Sequence, residues 1–519
     1  MTANARSYPP SGTPVTAKGL VALREPPSSL LRQSTALLIG RGLGFAFSFG
    51  VPLILVRALD QSTFGQYKQY YLIATTAAQI GALGLPWSLF YFLPAEGARR
   101  GRYVTGALSL LSLLGLVVFL LAVLFGPRLA NWMSAPDLGR VMPLLGLYAA
   151  LTLSTQFAED LAVIEQRPRT AAAMLFLSEA SRVSLLVGAV LVWGTIQAIA
   201  WASIVHALLR GAYLACYSAH LYGRHLKDVT PSVCVDLLRY AIPFGGAVAV
   251  ETAQGYLHQY YVAGVSPPAM FAVYAVGCFQ VPIANIVYTG VADVALVRAT
   301  EYAKGGEGEA LVRLYRDVVR LLSAFFVPTY LFVMVFASVT IRVLFTASYL
   351  AATPVLLVFA TTLLLLPPAD HIILRAKAET RFILLADLAG LALTALLLLP
   401  LYRVFGLAGA AAAYVIGAAV VRGLGLLRVR WLLTEPWKRI LPLRALGAIA
   451  LSAGIAAAAA VASTRSLAPV PRLLIGAAVL GIIYLLLAWH LNVLTKEERR
   501  RVTRYLGRLA PSSGLGGEP

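Results

Sequence analysis

Apolar stretches of about 20 residues follow one another from Leu30 to Leu491 of this 519-residue chain, separated by short loops. Each is long enough to cross a hydrocarbon layer of about 30 Å as a helix rising about 1.5 Å per residue. A transmembrane strand needs only about 10 residues of alternating polarity, and that alternation is absent. At 59% hydrophobic and 13% charged residues, the chain has about half the charge of a soluble domain. It therefore reads as an all-α integral membrane protein. Fourteen spans can be placed, at 35–56, 70–93, 104–126, 141–163, 170–193, 196–221, 240–262, 270–293, 318–345, 354–375, 382–402, 406–427, 443–463 and 470–492.

An even number of spans puts both termini on one side. Lys and Arg gather in the two tails and the even-numbered loops, so the positive-inside rule predicts cytoplasmic termini. This asymmetry accounts for most of the net charge of +20 without invoking nucleic acid. Residues 1–29, rich in Ser, Thr, Pro and Ala, are expected to be a disordered cytoplasmic tail. The first apolar stretch is too long for a signal peptide and lacks a small-residue cleavage site after it. At the other end, 495–519 is a basic tail suited to anionic lipid or to docking a partner. The longest internal loop, 294–317, carries Arg298, Glu301, Lys304, Glu307, Glu309, Arg313 and Arg316 and is expected to be an amphipathic surface helix. Cys216, Cys234 and Cys278 are odd in number and lack CxxC spacing, which predicts neither a disulfide frame nor a metal site. No nucleotide, zinc-protease or nucleophile-elbow signature is present, so neither an enzyme nor a cofactor is expected.

The chain also repeats itself. Leu30-Leu31-Arg32 opens a span that closes on Phe64-Gly65-Gln66-Tyr67, and Leu237-Leu238-Arg239 opens one that closes on Phe271-Ala272-Val273-Tyr274, with 32 residues from Arg to Phe in both. The first pair is displaced by 207 residues. Asp160 to Thr170 is echoed by Asp370 to Thr380, displaced by 210. Two echoes at nearly equal displacement predict an internal duplication.

A charge near the bilayer centre costs about 2.5–3.5 kcal/mol even on insertion scales, so each demands a partner, a cavity or a purpose. Glu179, Arg182, His206, Arg210 and Glu251 fall near the middle of their spans, and Arg41 about a third of the way in. Glu179 and Arg182, three apart on one face, form either a structural ion pair or part of a working site. His206 and Arg210, four apart, have no local acid. Glu251 and His258 lie two turns apart on span seven, the repeat partner of the span that holds Arg41. If the lobes face each other there, Arg41, Glu251 and His258 line one cavity, whose cations suit a pyrophosphate. Glu251 there could also bind and release a proton. Glu159, Asp160, Asp370, His371, Arg375, Asp387 and Arg422 lie near cytoplasmic span ends and are read as structural.

Arg57-Ala58-Leu59-Asp60 leading to Phe64-Gly65-Gln66-Tyr67 resembles the signature after the first span of Wzx-type polysaccharide flippases, in the multidrug/oligosaccharidyl-lipid/polysaccharide exporter superfamily. Gly84-Leu85-Pro86, Leu311 to Arg320, Phe345 to Leu356 and Arg403 to Ala411 add to the likeness, which spans about residues 30–430. The resemblance implies two parallel six-helix lobes, 30–222 and 240–430, joined by a cytoplasmic linker at 223–239 and related by a pseudo-twofold axis. Spans thirteen and fourteen, within 431–494, are additions to it. It further implies a bacterial inner-membrane flippase for undecaprenyl-pyrophosphate-linked oligosaccharide, working beside a polymerase and co-polymerase, with the head group in a midplane cavity. That cavity would be lined by Arg41, Arg182, His206, Arg210, Glu251 and His258. A membrane scaffold of a polysaccharide assembly complex is the non-transport alternative, and two related activities are the others, multidrug export and lipid II flipping. The first usually places an acid in span one, where this chain has Arg41. The second goes with arginines in spans one and two, and span two here ends in Phe90-Tyr91-Phe92.

Overall fold

The computed structural model describes residues 49–95, 100–223, 230–491 and 493, which contain helices and turns but no strand. In chain order the helices are α1 (Phe49–Ala58), α2 (Gln61–Gly81), α3 (Leu85–Ala95), α4 (Arg100–Trp132), α5 (Pro136–Ser154), α6 (Ala158–Ile164), α7 (Pro168–Trp193), α8 (Ile196–Tyr222), α9 (Pro231–Val265), α10 (Pro268–Gly277), α11 (Pro282–Lys304) and α12 (Gly308–Phe345). After two 3₁₀ turns flanking α13 (Thr353–Ala360) come α14 (His371–Ala376), α15 (Thr380–Leu433), α16 (Trp437–Ile440), α17 (Leu443–Thr464) and α18 (Pro469–His490).

Among the described residues eleven helices are long and apolar enough to cross a membrane, or twelve if α2 and α3, bent by 40° at their junction, make one span. Fourteen were expected, and the difference has local causes. Most of the first span lies outside the described residues. The eighth is broken at Cys278–Val281 into the short α10 and α11, yet still counts once through α11. The eleventh and twelfth form the 54-residue α15, which is two helices meeting at Gly406, where φ is 57° and ψ −136°. The outer surface is what lipid demands: Leu113, Leu116, Leu120, Leu124 and Phe125 of α4 are all exposed. Two further expectations change. Residues 231–239 of the linker are the first turns of α9, because Val233 and Leu237 are buried against α4 at Gly106. The stretch 294–317 is not a separate surface helix; it is the end of α11 and the start of α12, turning at Gly305–Glu307.

The duplication is legible in where the backbone turns left-handed. Ser134 and Thr346, Gln166 and Ala378, and Gly194 and Gly406 all have positive φ, and each pair is displaced by 212 residues; Gly223 and Thr434, also positive, are displaced by 211. These residues end α4 and α12, the segments after α6 and α14, α7 and the first half of α15, and α8 and the second half. Left-handed breaks stop helices, so a shared set of breaks means a shared set of helix lengths.

The signature stretch clasps the two halves at one end. Asp60 caps α2 by accepting from the Ser62 and Thr63 amides and the Thr63 hydroxyl. Chiefly through that hydroxyl, its carboxyl is held below the usual aspartate value. Arg57 donates to the Val343 and Leu344 carbonyls at the end of α12, and Gln61 to the Ser348 carbonyl. Phe64, fully buried, meets the Tyr349 ring edge-on at 5.9 Å. Gly65 is necessary here because a Cβ would fall 1.9 Å from the Pro268 carbonyl oxygen at the start of α10. At the same end the Trp132 ring lies against Gly264 of α9. The hairpin α17–α18 stands outside this repeat and packs on α12 through Ala453, Ala456 and Ala460, with Gly476 against the Phe336 ring.

Candidate functional site

The charges singled out from the sequence fall into two clusters, one in each half. In the first half, Arg182 on α7 donates to Glu179 at 2.5 Å and to the Tyr71 hydroxyl of α2 at 2.6 Å. His206 on α8 is buried, its Nδ1 3.2 Å from the Ser181 hydroxyl. Four residues on, Arg210 donates to Glu159 of α6 at 2.5 Å. His206 and Arg210 have no acid near them in sequence, as expected, but Arg210 finds a distant one. Glu159 is far in sequence but adjacent in space, because α5 breaks at Thr155–Phe157 and α6 restarts beside α8. Both arginines are mostly buried and each faces a carboxylate, which makes this a neutralised set of pairs.

The second half is different. A cavity of about 350 Å³ opens between α9, α11, α14 and α15, lined by Glu251, Asp293, Asp370, Asp387, Arg375 and Arg422, with Tyr288, His371, Gln254 and Tyr414. Four carboxylates face two arginines. Asp370, 3% exposed, accepts from Arg422 at 2.8 Å, and Tyr288 and His371 share a hydrogen bond of 3.0 Å. The helices close around this pair through glycine: a Cβ at Gly425 would meet the Asp370 carboxylate, and one at Gly390 would meet Gln254 and Val421.

Of the expected lining residues, Glu251 faces this cavity. His258 does not. It is 1% exposed, its Nδ1 2.5 Å from the Tyr274 hydroxyl and its ring 4.6 Å from that of Tyr414, so it belongs to the aromatic core. Arg182, His206 and Arg210 lie in the other cluster, and Arg41 lies outside the described residues. The cavity therefore brings Glu251 together with Asp370, His371, Arg375, Asp387 and Arg422, residues that depth in the span marked as structural. The available signal was the 370–380 echo itself, since a repeated polar stretch at a span end marks where a helix breaks. A second cavity of about 680 Å³ lies where α3 meets α9 and α15, walled by Trp87, Phe90, Tyr91, Tyr240 and Phe244 with Arg381 at its edge. Tyr91 and Tyr240 stack at 4.9 Å across that seam. Among the described residues no three His, Cys, Asp or Glu converge to hold a metal ion.

Comparison with known proteins places this architecture. Residues 30–275 match the family model described as polysaccharide biosynthesis protein. A search of curated proteins gives no match. Among solved structures, a lipid II flippase, MurJ, in an inward closed conformation is 12% identical over 88% of this chain and 98% of its own, with a TM-score of 0.69. An outward-facing multidrug resistance transporter of the MATE family is 17% identical over 81% of this chain and 98% of its own, TM-score 0.55. A MOP superfamily transporter from Pyrococcus furiosus, described as having a binding pocket of reversed polarity, is 14% identical over the same shares, TM-score 0.57. The resemblance seen in the sequence thus holds at two levels: residues 30–275 carry the polysaccharide biosynthesis protein pattern, and the chain as a whole has the fold of the MOP-superfamily transporters.

Proposed function

We propose that this protein is a flippase that carries undecaprenyl-pyrophosphate-linked oligosaccharide from the cytoplasmic to the periplasmic leaflet of a bacterial inner membrane, for O-antigen, capsule or exopolysaccharide assembly. The observation that carries this reading is the polysaccharide biosynthesis pattern of residues 30–275 on a fold shared with a lipid II flippase. Both termini are cytoplasmic, the two lobes run over 30–222 and 240–430, and the clasp at Arg57–Tyr67 is at the periplasmic end. With that end closed, substrate loads from the cytoplasmic side. The aromatic seam between α3, α9 and α15 lies on this side and offers amphipathic walls to sugar rings. The acidic cavity at Glu251, Asp370 and Asp387 is the coupling site, where a proton or cation offsets the excess carboxylate and biases one lobe conformation over the other. Arg41, Arg182, His206 and Arg210 remain the first-half side of the substrate path, with Arg182 and Arg210 held by Glu179 and Glu159, and the basic tail 495–519 meets anionic lipid and the polymerase and co-polymerase.

Deleting the protein should make lipid-linked repeat units accumulate on the cytoplasmic leaflet, with polymer lost from the surface. Unchanged polymer in the deletion strain refutes the reading. A second reading, lipid II flipping, is favoured by the likeness to MurJ. It predicts that peptidoglycan precursor accumulates instead, so the chemical identity of the trapped sugar decides between them.

A further inference from the structure

We infer that the α17–α18 hairpin and the end of α12 form a binding site for the phosphate-bearing head group of a membrane lipid. A cavity of about 340 Å³ lies there, lined by Ser338, Arg342, Leu350, Leu467, Pro469 and Arg472. Two arginines line it and no carboxylate does. Every other cluster of cations described above includes at least one acid, and neither of these arginines forms an ion pair among the described residues.

The placement of Arg472 is the more informative. It sits in the first turn of α18, where the helix dipole presents partial positive charge and a cation is disfavoured. Its Nε is buried without a hydrogen-bond partner, an expensive state for a charged donor. An anion between Arg472 and Arg342 answers both problems. The backbone supplies little toward such an anion: Pro469 and Pro471 have no N–H, and the Arg472 amide already bonds the Ala468 carbonyl. Recognition therefore falls to the two guanidinium forks, aided by the Ser338 hydroxyl, which is the donor geometry that fits phosphate oxygens. By the positive-inside rule this end of the molecule is the side where basic residues are scarce, so two converging arginines there are not explained by topology. Arg342 directly precedes Val343 and Leu344, whose carbonyls Arg57 holds, so the site adjoins the clasp between the lobes.

The phosphate group has two sources, a resident anionic phospholipid or a polyprenyl pyrophosphate. The test uses the purified full chain in neutral detergent, with thermal unfolding followed against phosphatidylglycerol, geranylgeranyl pyrophosphate, phosphatidylcholine and inorganic pyrophosphate. Stabilisation by phosphatidylglycerol alone assigns a structural lipid, and stabilisation by geranylgeranyl pyrophosphate alone assigns the isoprenoid. The double variant R342Q/R472Q should weaken whichever binds by at least tenfold, while R342K/R472K, which keeps charge but loses the forks, should weaken it less. A control, Arg313→Gln, an exposed arginine on α12 at the other end, should leave it unchanged. Equal lipid binding by wild type and R342Q/R472Q overturns the inference, as does a response to inorganic pyrophosphate with none to either lipid. Should R342Q/R472Q unfold, the comparison of R342K/R472K with wild type decides, equal binding again counting against the site. Because binding is read without transport, failure here is distinct from failure of the flippase reading.

Discussion

Two ion pairs at matching positions in the duplicated halves have different surroundings. Arg210 and Arg422 are 212 residues apart, the displacement of the left-handed breaks, and their partners Glu159 and Asp370 are 211 apart. In the first half the pair is held at 2.5 Å among tyrosines, and the neighbouring Arg182 has its own glutamate. In the second, the pair forms one wall of a cavity with Glu251, Asp293 and Asp387 on the others. At the equivalent of Asp387 the first half has Leu175, and at the equivalent of His206 the second has Ala418. One scaffold thus holds a neutralised pair and an acidic, open one. Removing water from unpaired carboxylates is costly, so an excess of them persists only where solvent, a proton or a cation keeps them company.

The comparison breaks most visibly at Glu251 and Asp387. Changing either to its amide should cut transport by about tenfold or more, with the melting temperature unchanged, because neither is needed to balance a buried partner. Normal transport by the double amide would remove the coupling site. Next in size are the pairs themselves. Asp370→Ala should cost about 3 kcal/mol, the low end of the range for buried pairs because Arg422 is partly exposed, and Glu159→Ala should cost about as much. Thermal unfolding measures both, and a double-mutant cycle with each arginine isolates the pair. If Asp370→Ala also abolishes transport while Glu159→Ala, corrected for protein amount, leaves it within about threefold, the division of labour is sharpened; equal losses would erase it. The smallest effect belongs to a site outside both clusters. Asp60→Ala should cost about 1 kcal/mol by uncapping α2. Since the folded value of Asp60 is lowered, its contribution is present above the ordinary aspartate range and fades as pH falls through the folded value, so the wild-type advantage over Asp60→Ala should vanish in strong acid.

Much of the architecture was legible in the residues. Helix-length apolar runs predicted the all-α membrane class, and glycines let those helices approach closely, as where Gly409 meets the Leu401 carbonyl and Gly417 meets Thr394. The turn signature from Arg57 to Tyr67 was recognisable, yet its work, tying α1 and α2 to α12 and α10, involves residues more than 200 positions away. Depth along a span marked Asp387 and Arg422 as structural, although they line the cavity, and helical spacing from Glu251 singled out His258, which is sealed in an aromatic core.

The sequence by itself determined that this chain lies in a membrane as a series of helices, since hydrophobic length is a local property, and its repeated motifs raised the expectation of two related halves. Only the tertiary structure decided which charges are paired and which face a cavity. That outcome depends on the angle at which helices cross and on where they break, so Glu159 reaches Arg210 and Glu251 joins Asp370 only once the helices of each half have packed.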